Sequence, residues 1–189
     1  MDMKRKLAAF LAAILSTTGL TTLLVASPAQ AVTVYGPYEI VSEWTGGTPP
    51  ALRCMDIESW SQANGARDQL YTCRPSGYVQ SNQSFFLYSV DGSPNVYSIK
   101  PAHSAKCLDI KDYSSSLGAV VQQWDCTGAT NQLFTLAWLD SSRFQIRPLT
   151  RPWPDSWCVK PLGQIGDGAV LIQGGCSVNA DVQWRLNPV

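Results

Sequence analysis

The chain has 189 residues, 14 Lys and Arg against 14 Asp and Glu, 45% hydrophobic residues, six cysteines and one histidine. Balanced charge excludes the basic footprint of a nucleic-acid binder. The length allows one domain with a core of its own beyond a short leader.

Residues 1–31 read as a cleaved secretory leader. Lys4, Arg5 and Lys6 form a basic head, Leu7 to Leu15 is an apolar run and Leu23-Leu24-Val25 a shorter one, and Ala29-Gln30-Ala31 is a small-x-small cleavage signal. The rival, a membrane anchor, would need about eighteen unbroken apolar residues, and no run approaches that, so no membrane span is expected. The mature chain then runs from Val32 to Val189 with eleven basic and thirteen acidic residues, a net charge of −2. No linker, charge run or low-complexity tract divides residues 32–189, which points to one secreted, stand-alone module, monomeric and without nucleic-acid partners.

From there on, short alternating runs and turn clusters follow one another with no helical periodicity. A first unit, about 37–94, opens on Tyr38-Glu39-Ile40, turns at Gly46-Gly47-Thr48-Pro49-Pro50, and passes Cys54-Met55-Asp56-Ile57, Gly65-Ala66, Cys73 and Phe85 to a turn at Asp91-Gly92-Ser93-Pro94. A second, about 95–141, opens on Tyr97-Ser98-Ile99 and passes Cys107-Leu108-Asp109-Ile110, Gly118-Ala119-Val120-Val121, Cys126 and Phe134. A third, about 142–189, opens on Phe144-Gln145-Ile146, turns at Arg151-Pro152-Trp153-Pro154, and passes Cys158-Val159-Lys160, Gly168-Ala169-Val170-Leu171-Ile172, Cys176 and Trp184. The same features at the same offsets, with a period near fifty, make a threefold internal repeat. Short strands with turns between them predict an all-β sandwich or barrel. Three copies too small to bury separate cores predict a closed pseudo-threefold assembly, with Phe85, Phe134 and Trp184 as core residues, one from each copy.

Six cysteines allow fifteen pairings. Equivalent positions in equivalent units favour Cys54–Cys73, Cys107–Cys126 and Cys158–Cys176, each worth on the order of 3 kcal/mol in the chain-entropy model. No CxxC pair exists and His103 is the only histidine, which argues against zinc. No metal or cofactor is expected, and His103 reads as a surface residue.

Taken in register, CxD, Gly-Ala, Gln-x-aromatic-x-Cys and Asn-Gln-x-aromatic resemble the ricin B-type β-trefoil lectins, also called family 13 carbohydrate-binding modules, whose hallmark is a QxW motif in each repeat. The resemblance covers essentially all of residues 32–189. It implies a β-trefoil of twelve strands with one shallow sugar pocket per repeat. In the first repeat it assigns Asp56, Gln69, Tyr71 and Asn82 to the sugar, with Gln83 and Phe85 in the QxW block. In the second it assigns Asp109, Gln122, Trp124 and Asn131, with Gln132 and Phe134. The two glutamines of the blocks, Gln83 and Gln132, are expected to face inward and hold each repeat together. The third repeat departs: Lys160 replaces the acid, Ile172 the glutamine, Gly174 the aromatic, and Asp181 and Val182 stand where Asn and Gln belong. It is expected to be scaffold.

The chemistry suits a sugar. A flat aromatic offers the C–H face of the ring a large rigid surface. A carboxylate accepts from adjacent hydroxyls, and an amide both donates and accepts. The implied partner is a carbohydrate, a galactoside, xylan or related glycan. Each residue also has a plainer reading: Asp56 and Asp109 as turn residues, Tyr71 and Trp124 as ordinary strand aromatics. Their joint presence in two repeats and joint absence from the third favours binding.

Two other function classes stand beside it. A glycosidase needs paired carboxylates about 5–9.5 Å apart, whereas Asp56 and Asp109 belong to different lobes, so no enzyme activity is expected. A protein-interaction or inhibitor trefoil would use exposed loops, with Trp153-Pro154 and Arg74-Pro75-Ser76-Gly77-Tyr78 as candidates. Finally, Asn82-Gln83-Ser84 fits the N-glycosylation sequon. A glycan there would block the first pocket, which favours a bacterial source.

Overall fold

The computed structural model describes residues 32–44, 51–75, 77, 81–90, 92–151, 157–163 and 165–189. The expected leader, the turn at 46–50, Ser76, Tyr78, Asp91 and Trp153-Pro154 lie outside the described residues. Among the described residues there are twelve strands and no α-helix. They fall four to a repeat: β1 (Val34–Ser42), β2 (Arg53–Ile57), β3 (Asp68–Thr72) and β4 (Phe85–Ser89); β5 (Val96–Pro101), β6 (Cys107–Ile110), β7 (Val121–Trp124) and β8 (Phe134–Trp138); β9 (Phe144–Pro148), β10 (Trp157–Pro161), β11 (Ala169–Gly175) and β12 (Trp184–Pro188). β1 starts slightly ahead of residue 37.

Six strands close into a ring. β1 pairs with β4, β4 with β5, β5 with β8, β8 with β9, β9 with β12, and β12 back onto β1, all antiparallel. Closure leaves this ring without an unpaired edge. The remaining strands form three hairpins, β2–β3, β6–β7 and β10–β11, one per repeat. The hairpins meet one another: β11 pairs with β3 through Ala169 and Val170, and single bridges join Arg67 to Gln122 and Val120 to Ile172. One closed barrel and one triangular set of hairpins make the β-trefoil that the residues resembled.

Strand alternation explains the core, since successive side chains point to opposite faces. In β1, β5 and β9 the positions of Ile40, Ile99 and Ile146 are buried, and Phe85, Phe134 and Trp184 are fully enclosed as expected. The Trp184 indole N–H donates to the Val159 carbonyl at 3.2 Å, which satisfies its one polar atom. The three disulfides are those the repeat favours, each within one unit: Cys54–Cys73, Cys107–Cys126 and Cys158–Cys176.

The Gly-Ala steps join neighbouring repeats. Gly65, Gly118 and Gly168 all adopt positive φ, +84° to +85°, a region that a side chain disfavours. Each turn donates its glycine N–H to the next repeat: Gly65 to the Gln123 carbonyl at 2.9 Å, Gly118 to Gln173 at 2.9 Å, Gly168 to Leu70 at 2.8 Å. Buried Gln123 and Gln173 then send their side-chain amides back, Gln123 to the carbonyls of Ser61 and Ala63, Gln173 to those of Ser114 and Ser116. The first repeat has Leu70 at this position and lacks the amide clasp.

His103 departs from expectation. It is half-buried rather than on the open surface, because its Nε2 bonds the Ser61 carbonyl at 2.9 Å and its ring meets the edge of Trp60 at 6.0 Å. It ties the second repeat to the first.

Because the barrel core is shared by all three repeats, truncating one closing aromatic should weaken the whole fold. Phe134→Ala is expected to cost about 3–5 kcal/mol in a single cooperative transition, measured by chemical denaturation. A loss under about 1 kcal/mol, or two separate transitions, would contradict one shared core.

Candidate functional site

Hairpin register places the sequence-predicted residues. In β2–β3, Cys54 faces Tyr71 and Asp56 faces Gln69. In β6–β7, Cys107 faces Trp124 and Asp109 faces Gln122. These pairs share one side of each hairpin, whereas Met55 and Leu70 turn to the core. The chain then folds back at residues 81–84 and 130–132, bringing Asn82-Gln83 and Asn131-Gln132 over the aspartate.

Each aspartate thus becomes the hub of three amides. Asp56 Oδ1 accepts from Gln69 Nε2 at 3.0 Å, and Oδ2 from Asn82 Nδ2 at 3.0 Å and Gln83 Nε2 at 2.9 Å. Asp109 repeats the pattern: Gln122 at 3.0 Å on Oδ1, Asn131 at 2.7 Å and Gln132 at 3.0 Å on Oδ2. Both carboxylates are nearly closed to solvent, 2% and 4% exposed. Burial pushes both carboxyl groups above their ordinary range, and the amide donors, with Arg74 at Asp56, pull back towards the ionised form. Of about four lone-pair positions on a carboxylate, three are taken by amides.

The glutamines of the QxW blocks do more than touch the hub. Gln83 also donates to the Thr72 carbonyl and accepts the Arg74 N–H at 2.8 Å. Gln132 donates to the Asp125 carbonyl and accepts the Thr127 N–H at 2.7 Å. Each therefore pins the end of the strand carrying the aromatic to the aspartate. The asparagines use their nitrogen fully, on the aspartate and on the Ile57 or Ile110 carbonyl. Their Oδ1 atoms are buried and without a partner in both repeats. Asn82 Nδ2, where a sequon glycan would attach, is held inside the fold.

Tyr71 and Trp124 stand at the mouths, 43% and 42% exposed. Opposite each lies an aromatic that sequence reading missed. After Ile57 and after Ile110 the chain makes a 3-10 turn in which Ser59-Trp60 and Asp112-Tyr113 take positive φ, 54–57°. Such backbone costs of order 1–3 kcal/mol per residue and gathers at functional sites. It sets Trp60 and Tyr113 into the rims. The signal was present in the sequence: an aromatic four residues after each hub aspartate. The resulting depressions measure about 230 Å³, lined by Asp56, Ser59, Trp60, Gln69, Tyr71, Arg74 and Asn82, and about 200 Å³, lined by Asp109, Asp112, Tyr113, Gln122, Trp124, Asn131 and Gln132. Arg74, expected in an exposed interaction loop, is in the wall of the first.

In the third repeat Lys160 lies opposite Ile172, at the hub position, and ion-pairs with Asp181. Its stem crosses the platform position: a Cβ on Gly174 would sit 2.7 Å from Lys160 Cδ. Val182 is enclosed. A depression of about 280 Å³ adjoins Asp181, but Trp44, Asn179 and Ala180 bound it, and none of these positions lines the other two sites.

Beneath the first hub lies a second missed carboxyl. Asp68 replaces the apolar Val121 and Leu171 of the other repeats and is fully buried. Oδ1 accepts the Asp56 N–H at 3.2 Å, and Oδ2 has no partner. Burial first, and the nearby Asp56 charge second, raise it well above the ordinary carboxylate range.

The family model described as ricin-type β-trefoil lectin domain-like matches residues 81–153, which include the whole second repeat. No curated protein matches the chain. Among solved structures, the designed 3-fold symmetric protein ThreeFoil is 28% identical, with 82% of this chain and 100% of that one covered and a TM-score of 0.68. The exo-β-1,3-galactanase 1,3Gal43A from Clostridium thermocellum is 21% identical over 82% of this chain and 30% of that one, TM-score 0.68. The Rhizoctonia solani agglutinin is 14% identical over 87% and 100%, TM-score 0.64.

The buried acid sets a pH test. A carboxyl whose folded pKa lies above its unfolded value opposes folding as pH rises past the unfolded value near 3.8. The penalty grows until the folded pKa is passed. Asp68→Asn keeps an acceptor and cannot ionise. It should therefore raise Tm at pH 7–8 by at least about 3 °C, with the gain shrinking to nothing below about pH 4. Equal melting curves at neutral pH would show that Asp68 is not held neutral.

Proposed function

We propose that this chain is a secreted carbohydrate-binding module, a lectin in the broad sense, with two working shallow sites, in repeats one and two, and a closed third. The observation that carries the reading is one constellation built twice: a carboxylate with a lone-pair position to spare and an exposed aromatic platform around one depression. Three disulfides suit an oxidising, extracellular setting.

The bound sugar would lay its apolar face on Tyr71 or Trp124 while its equatorial edge reaches the hub. A ring hydroxyl would give its hydrogen to the position the carboxylate has to spare, with Asn82 or Asn131 in the lining beside it. Since Gln69 or Gln122 and Gln83 or Gln132 hold the carboxylate rigidly, little ordering remains to be done on binding. Galactosides, xylan and related glycans are the ligand class. The second pocket does contain a further carboxylate, Asp112, but Asp109 beside it is shut in by three amides, an arrangement for holding a charge rather than for relaying protons. The reading is thus of a binding protein, not an enzyme.

A single shallow site should bind weakly, about 0.1–1 mM, and a polymer far more tightly by engaging both sites at once. Titration of the exported protein with the monovalent sugar that binds best in a glycan array should give a stoichiometry near two. Tyr71→Ala, Trp124→Ala, Asp56→Ala and Asp109→Ala should each reduce it to one, while Lys160→Ala leaves two. A value of three would reopen the third repeat. No binding across the array would leave the protein-interaction reading in its place.

A further inference from the structure

The two sites are alike in their hubs and differ in their charge. The lining of the first depression holds one carboxylate, Asp56, and one guanidinium, Arg74. That of the second holds two carboxylates, Asp109 and Asp112, and no cation. Where the first repeat has Arg74 directly after its second cysteine, the second has Thr127. Both residues offer their backbone N–H to the hub glutamine, so the backbone role is shared and the side chain is free to differ.

Arg74 is placed as a recognition group would be. Its guanidinium carbon lies 4.9 Å from the centre of the Trp60 ring, and stacking of this kind fixes the plane of the fork. Trp60 is backed in turn by His103. Arg74 Nε is buried without a hydrogen-bond partner. No described carboxylate makes an ion pair with Arg74, whereas Arg53, Arg67, Arg143 and Arg185 all have one. A stacked, oriented, unpaired guanidinium on the wall of a sugar-sized depression matches the geometry of an oxyanion, since the fork presents parallel donors to carboxylate or sulfate oxygens.

We propose that the first site selects a sugar carrying an oxyanion, a uronic acid carboxylate or a sulfate ester, through Arg74, and that the second site selects a neutral sugar because Asp112 repels such a group. This rests on the sugar-binding reading of both pockets. The protein then recognises mixed acidic and neutral glycans with two unlike sites. Asp56 feels the Arg74 charge but makes no ion pair with it, and three amides already hold its carboxylate.

Trp60 lines only the first depression and Trp124 only the second, so the two indole N–H signals in the NMR spectrum of the ¹⁵N-labelled, disulfide-bonded protein report the sites separately. The probes are galactose against galacturonate, glucose against glucuronate, and galactose 6-sulfate. At the Trp60 signal, an acidic sugar should bind at least about tenfold more tightly than its neutral parent, less so as salt is raised. The uronate and sulfate arms tell which oxyanion is preferred. Arg74→Gln should bring the acid-to-neutral ratio at Trp60 to about one, and Asp112→Asn should improve acid binding at Trp124 by threefold or more. Equal binding of acid and neutral parent at Trp60, or a preference that survives Arg74→Gln, would overturn the proposal while leaving sugar binding intact. If no sugar of any kind moves either indole, the sugar-binding reading falls with it.

Discussion

A carboxylate removed from water must be met by donors or it will not stay ionised, and the first two lobes of this molecule are arranged around that demand. Asp56 and Asp109 each gather a glutamine from the facing strand and an Asn-Gln pair from the returning turn. The same amides fix the chain after the disulfide, the strand bearing the platform and the turn leading into the core aromatic. Site and scaffold are therefore one network. Nothing in it could be moved without disturbing the rest.

The third repeat shows what happens when the demand is answered differently. Lys160 at the hub position and Asp181 at the amide position satisfy each other directly. A long stem must cross the hairpin to do so, and only glycine at 174 leaves room for it. The lobe keeps its disulfide and its enclosed Trp184, so the fold is served, but the space that forms a depression elsewhere is filled by a side chain. Lys160, Asp181 and Gly174 thus fit one another where acid, amide and platform stand in the other two repeats.

The third repeat also supports the first depression. A Cβ on Gly168 would sit 3.9 Å from Gln69 Oε1, and Asp167 accepts the Thr72 N–H at 2.7 Å and pairs with Arg53. In the same way Gly65 of the first repeat lies against Gln122 and Trp124 of the second, and Asn64 exchanges hydrogen bonds with Asp125. Each of the two depressions is floored by its own repeat and buttressed by another.

The repeat, the disulfide pairing, the core aromatics and the shared positions of Asp, Gln, aromatic and Asn were legible in the sequence, because threefold repetition lets one copy be read against another and strand register has a period of two. Asp68 was legible in principle, as an acid aligned with Val121 and Leu171. What only the tertiary structure decided is how each position is used. Trp60 and Tyr113 reach the rims through backbone that turns to positive φ, a conformation no local pattern announces for these residues. The enclosure of Asp56 and Asp109, the crossing of Lys160 over Gly174 and the arrival of Arg74 against Trp60 all depend on segments distant in the chain meeting in space. Sequence spacing names the groups that can meet; the closure of the barrel sets which of them do meet and which of their atoms stay unpaired.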